Sequence, residues 1–157
     1  MCIRDSFEIA LACDLIVASE TARFGLPEPL VGAMALGGGV HRLARQIGLK
    51  PAMGMILTGR MIDAREALAL GLVNEVVPAG ELDAAVARWV ESILRCSPAA
   101  LAASKQSVMR GLDEPSLAAA MARQDEYPAF AALRRSPDIA EGPRAFAEKR
   151  PPRWTDA

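Results

Sequence analysis

The first apolar run, FEIALAC (7–13), fits both helical and strand spacing, and the β-branched run DLIVA (14–18) follows it between polar residues. This predicts a helix of one or two turns leading into a buried strand. A second short extended piece, ARFG (22–25), precedes LPEP (26–29). Each proline there pushes the residue before it out of the α region, so Glu28 is expected on a stiff loop. Gly37, Gly38 and Gly39 open an amphipathic segment over 40–47, with Gly48 placed as its C-cap, and Pro51 starts a further helix through Leu57. Asp63 is a good N-cap for a helix over 64–70, with Glu66 at the capping-box position and Gly71 as the stop. Residues 72–77 read as a strand ended by Pro78. Beyond Gly80 the pattern is helical almost throughout, over 81–95, 98–110 with Ser97 as cap, 115–126 and 137–149. In the first of these, Leu82, Val86, Trp89, Val90 and Ile93 fall on one stripe, which needs cover from the chain itself or from another subunit. No repeat, low-complexity tract or linker interrupts the chain, and Trp154 is expected to anchor the tail.

Composition narrows the class. The chain has 157 residues, 52% of them hydrophobic, with a mean hydropathy of +0.18, as expected of a packed globular domain and not of a disordered one. Only 4% are aromatic while Ala and Leu are abundant, which favours packed helices over a sandwich or barrel. The net charge is −1 and the basic residues are scattered, so nothing recruits a nucleic acid. Cys2, Cys13 and Cys96 are odd in number and far apart, which predicts reduced thiols in a cytoplasmic protein, with Cys13 and Cys96 as buried small hydrophobes. Glu8 and Asp14 interrupt the longest apolar stretch, so no membrane span is expected, and Arg4 and Asp5 argue against a secretory leader.

Two carboxylates stand out. Glu8 lies among Phe7, Ile9, Ala10 and Leu11, and Glu28 is clamped between Pro27 and Pro29. A carboxylate stripped of water by apolar neighbours suits proton transfer at neutral pH, and two sharing one site would repel each other. Taken singly, each also has a plainer reading: Glu8 as a solvent-facing acid favoured by a helix N-terminus, Glu28 as an exposed turn residue. The glycines at 37–39 match neither a P-loop nor a dinucleotide fingerprint and read best as close backbone packing at a helix start. His41 is the sole histidine, so no histidine triad or histidine-rich metal site can be assembled from this chain.

Four motifs in order, FEIALACDLIVASETARFGLPEPLVG, GGGVHRLARQIG, LTGRMIDAREALALGLVNEVV and EGPRAFAEKRPPRW, resemble the crotonase (enoyl-CoA hydratase/isomerase) superfamily over residues 7–154. The last is similar to the carnitinyl-CoA (crotonobetainyl-CoA) dehydratase branch in particular. The resemblance implies an α/β chain: the C-terminal part of a crotonase (ClpP-like) ββα spiral, 7–78, followed by a helical trimerisation layer, 79–157. It also implies that residues 1–6 are a non-native junction and that an N-terminal region of the fold lies outside this chain, leaving the chain inactive alone.

For the chemistry, the resemblance implies that Glu8 and Glu28 hold a water between them and add it syn across a 2-enoyl-CoA thioester, Glu8 activating it and Glu28 protonating the α carbon. Asp5 stands where the family has an oxyanion-hole glycine. Phe146 and Lys149 match residues that reach a neighbouring subunit's CoA adenine and phosphates; the plainer reading is a solvated helix end. Leu36 disfavours a dienoyl-CoA isomerase. The expected assembly is a homotrimer or dimer of trimers, with an acyl-CoA substrate and no metal, redox cofactor or nucleic acid. Two other readings stay open: an enoyl-CoA isomerase using one carboxylate, against which Glu8 counts, and a non-catalytic assembly fragment.

Overall fold

Phe7 and Leu11 stand four positions apart, so a helix puts them on one face, and both are buried along α1 (Ile3–Ala12). The computed structural model describes residues 3–155, with side chains from residue 7, and the chain divides into two units, Met1–Arg88 and Trp89–Ala157. Helix α1 is longer than the one or two turns expected and takes in the backbone of residues 3–6. The side chain of Asp5 lies outside the described residues, as do Met1 and Cys2.

In the first unit α1 leads to β1 (Val17–Ser19), β2 (Arg23–Phe24), a 3-10 turn (Glu28–Val31), α2 (Gly39–Ile47) and α3 (Leu49–Thr58), and then to β3 (Ile62–Asp63), α4 (Ala64–Ala69) and β4 (Glu75–Val77). Strand β1 pairs parallel with β4, Val17 opposite Glu75, while β2 pairs antiparallel with β3. A parallel pair needs a long crossover, and the segment carrying α2, α3 and α4 supplies it. Asn74 closes the entry of that pair: its Oδ1 accepts from the Ile16 N–H and its own N–H donates to the Ile16 carbonyl, both at 2.8 Å. Leu11, Leu26, Leu43, Met55 and Ile62 form the fully buried centre, with the Phe7 and Phe24 rings 5.6 Å apart beside them.

Several elements depart from the sequence reading for local reasons. The strand expected over 72–77 begins only at Glu75. Gly71, in the left-handed region with φ 72°, and Leu72 instead cap α4 by donating to the Leu68 and Ala67 carbonyls, a Schellman closure that consumes the start of the strand. Helix α3 begins two residues ahead of Pro51, which sits in the first turn, where its missing N–H costs nothing. The Leu26–Pro29 loop is in part a 3-10 turn: the Leu30 N–H donates to the Pro27 carbonyl and the Ala33 N–H to the Glu28 carbonyl, so Glu28 opens the turn. Cys13 and Cys96 are exposed and not buried, because both lie just past helix ends, where each thiol donates to a carbonyl of the last turn, Ile9 and Ser92 respectively.

Helix α5 (Leu82–Leu94) runs through the division between units. Ala85 is its buried residue, and Val86, Val90 and Ile93 of the expected stripe are exposed. The second unit holds α6 (Pro98–Gly111), α7 (Leu117–Arg123), α8 (Pro128–Arg135) and α9 (Asp138–Ala147). Ser97 and Ser116 cap α6 and α7 by accepting from the Ala100 and Ala119 N–H groups. Helix α8, which the sequence reading assigned to none of its segments, packs on α6 with Ala103 and Tyr127 buried. Among the described residues no helix is long and apolar enough to cross a membrane.

Candidate active site

Burial of Phe7 and Leu11 turns the neighbouring Glu8 toward the start of α2. There its Oε1 accepts the Gly39 N–H at 2.7 Å. Gly39 is the first residue of α2, and the leading N–H groups of a helix have no partner within it, so a carboxylate is a natural acceptor. The approach is possible only because glycine stands on both sides: a Cβ at Gly37 would come 2.9 Å from Glu8 Oε2, and one at Gly39 would come 2.8 Å from Oε1. Between them Gly38 takes φ 94°, which a side chain would oppose. The close-packing reading of the three glycines thus describes the turn, and what they pack against is the Glu8 carboxylate. The solvent-facing reading of Glu8 does not hold, since the residue is half-buried.

Glu28 is 7% exposed, so it is not an exposed turn residue either. Its Oε2 is buried with no hydrogen-bond partner. Buried carboxylate oxygens are nearly always paired, so an orphaned one marks Glu28 as a candidate functional group. The 3-10 turn fixes its place, closed by Gly32 with φ 73° and an N–H donated to the Pro29 carbonyl. Two residues before Glu28, Leu26 meets the same glycine turn as Glu8: a Cβ at Gly39 would stand 3.1 Å from Leu26 Cδ2. The structure therefore brings the segments carrying both carboxylates to one turn at 37–39. Leu36, just ahead of it, is exposed.

The second unit presents Phe146, 88% exposed, near the end of α9. Lys149 follows, exposed and left-handed with φ 53°, a conformation unusual for any residue but glycine. It closes α9 in another Schellman pattern, Lys149 N–H to the Phe146 carbonyl and Arg150 N–H to the Ala145 carbonyl. Arg150 makes a bidentate pair with Glu141 and a further bond to Glu148. These bonds from Arg150, and then the Arg153 N–H, hold the Glu141 carboxyl down to about 2. Asp138, buried, accepts from the Ser97 hydroxyl and from the N–H and hydroxyl of Thr155, and the Ser97 bond is the leading cause of its lowered pKa. The tail is thus tied by Asp138 and Glu141 as well as by the Trp154 indole, which donates to the Arg95 carbonyl.

No group of three or more His, Cys, Asp or Glu among the described residues could hold a metal ion. Sequence reasoning passed over Arg42, whose Nη1 donates to the Gly37 carbonyl at 2.7 Å. A five-residue spacing carries no signal for such a bond, which exists only once the turn is formed.

The chain has known relatives. The enoyl-CoA hydratase/isomerase family model matches residues 2–157. A probable enoyl-CoA hydratase of Mycobacterium bovis is 41% identical over 94% of this chain and 56% of its own length. The carnitinyl-CoA dehydratase of Proteus mirabilis is 38% identical over 94% of the chain and 57% of its own. Among solved structures, an enoyl-CoA hydratase from Mycobacterium marinum superimposes with a TM-score of 0.88 at 40% identity, over 95% of this chain and 58% of that one. The chain spans rather more than half the length of the relatives it matches. By motif, fold and matched extent, it belongs to the enoyl-CoA hydratase/isomerase family.

Proposed function

We propose that the complete protein carrying this chain is an enoyl-CoA hydratase that adds water to a 2-enoyl-CoA thioester or runs the reverse dehydration, with Glu8 and Glu28 as its acid/base pair. The observation that carries the reading is the buried, unpartnered Oε2 of Glu28, on a segment that meets the same glycine turn as the Glu8 carboxylate. In hydration Glu8 takes a proton from water as its oxygen bonds the β carbon, and protonated Glu28 delivers a proton to the α carbon. The resulting 3-hydroxyacyl thioester keeps both atoms of the former double bond. The two carboxyl groups end with their protonation exchanged and reset through solvent.

Within this reading the acyl group is that of crotonobetainyl-CoA and carnitinyl-CoA, supported by the EGPRAFAEKRPPRW segment and by the similarity to the Proteus enzyme. Exposed Phe146 and Lys149 contact the CoA adenine and phosphates across a subunit interface, where a lysine suits phosphate as a point charge. The assembly is a homotrimer or dimer of trimers, supported by the exposed apolar Leu112, Leu117 and Met121. The chain alone is inactive, because it spans only part of the length of its relatives.

The test is made in the complete protein with crotonyl-CoA and crotonobetainyl-CoA. Glu8→Gln and Glu28→Gln should each lower kcat by about 10²- to 10⁴-fold, the usual contribution of one general acid or base. Undiminished hydration in both variants would end the reading, and a preference for crotonyl-CoA would end only its carnitinyl part.

A further inference from the structure

Three consecutive glycines form the least constrained tripeptide a chain can contain, yet the Gly39 N–H must point steadily at Glu8 Oε1 for that bond to last. Gly38 cannot supply the constraint, since its left-handed conformation at φ 94° is one of many open to glycine. The constraint comes from α2, one turn further on. Arg42 Nη1 reaches back to the Gly37 carbonyl at 2.7 Å, while the Arg42 N–H donates to the Gly38 carbonyl at 2.9 Å. A single residue therefore grips two successive carbonyls of the turn. The guanidinium also lies across Gly38, where any Cβ would strike it. A bond from a charged donor is stronger than one between neutral groups, so the brace suits a turn that is otherwise soft.

We infer that Arg42 is a positioning residue for Glu8: its guanidinium pins the Gly37 carbonyl, beside the ordinary helical bond from its N–H to the Gly38 carbonyl, and so holds the Gly39 N–H on Oε1 and fixes the direction in which the carboxylate faces. The kinetic part of this inference rests on the hydratase reading, and the structural part does not. The side chain hydrogen-bonds the Gly37 carbonyl and neither Glu8 nor Glu28, so it acts through the turn. Arg45, on the same helix, bonds the His41 carbonyl instead and leaves the turn untouched, which makes it the matched control.

The experiment follows the Gly39 amide by ¹⁵N-resolved NMR in the full chain. Glu8→Gln removes the charged acceptor and defines the shift of the Gly39 proton that comes from losing it. Arg42→Met should move that resonance in the same direction and speed its hydrogen exchange by about tenfold or more, as expected when a local opening is no longer resisted. Arg42→Lys, a one-point donor, should restore part of both effects, and Arg45→Met should change neither. In the complete protein Arg42→Met should lower kcat about 10- to 100-fold through misplacement of the carboxylate, with KM within about twofold.

A Gly39 resonance that overlays the unaltered protein in Arg42→Met, with helix content intact, overturns the inference. Should Arg42→Met fail to fold, Arg42→Gln carries the same comparison, its shorter neutral donor being unable to span to Gly37. A Gly39 shift in Arg42→Met alongside full activity in Glu8→Gln and Glu28→Gln would leave the brace standing and remove the hydratase reading. The reverse pattern would remove the brace alone.

Discussion

At the scale of single residues, the site rests on places where one atom more would not fit. Gly39→Ala would set a methyl 2.8 Å from Glu8 Oε1 and 3.1 Å from Leu26 Cδ2, with packed neighbours on both sides. It should destabilise the chain by about 1–3 kcal/mol, the usual cost of overpacking, read as a lowered urea midpoint at unchanged slope. Lys149 is the converse case. It holds a left-handed conformation at the C-terminal closure of α9, where glycine has no side chain to oppose it. Lys149→Gly should raise stability by up to about 1 kcal/mol, since relief of strain exceeds the added freedom of the unfolded chain, measured in the same titration. Glu8 was legible as a candidate because it is an acid among Phe7, Ile9, Ala10 and Leu11, although the pattern alone left a solvent-facing helix acid open beside that reading. Arg42 was not legible, since a surface arginine on an amphipathic helix looks like any other.

At the scale of elements, local signals located the helices and distant ones trimmed them. Asp63 caps α4 as read, its Oδ1 accepting the Glu66 N–H at 2.8 Å, but the other half of the capping box is absent because the Glu66 carboxylate pairs with Arg60. That pairing, through the hydrogen bond first, holds the Glu66 carboxyl below its ordinary range. Ser97 does double duty, accepting the Ala100 N–H and donating to Asp138. Ser97→Ala should therefore cost more than the roughly 1 kcal/mol of a lost cap, nearer 2–3 kcal/mol, because a buried carboxylate oxygen loses its partner. Ser116→Ala, which loses only a cap, is the comparison. Helix α8 escaped the sequence reading for a related reason. Its early Ala129 N–H is satisfied by the side chain of Gln106 on α6, a partner 23 residues away that no local window contains.

At the scale of the whole molecule, the acid response should be concentrated in the tail. Glu141 and Asp138 are both held below their ordinary ranges in the folded chain, so their charged forms stabilise it. That contribution is complete above the ordinary carboxylate range and is lost as pH falls from about 4.5 toward the Glu141 value of about 2. The fluorescence of Trp154, in a Trp89→Phe background, should report release of the indole from the Arg95 carbonyl across that window, and Glu141→Gln should weaken the tail at neutral pH. The helices other than α8, the caps at Asp63, Ser97 and Gly48, and membership of the family were determined by the sequence itself. Propensity, capping and motif spacing act within a few residues of chain and survive being read one segment at a time. Only the tertiary structure decided that Glu8 would lie on the Gly39 N–H, that Glu28 would be buried with an unpaired oxygen, and that Cys13 and Cys96 would face outward. Each of those outcomes depends on which surface another part of the chain covers, and burial is a property of packed neighbours, not of local sequence.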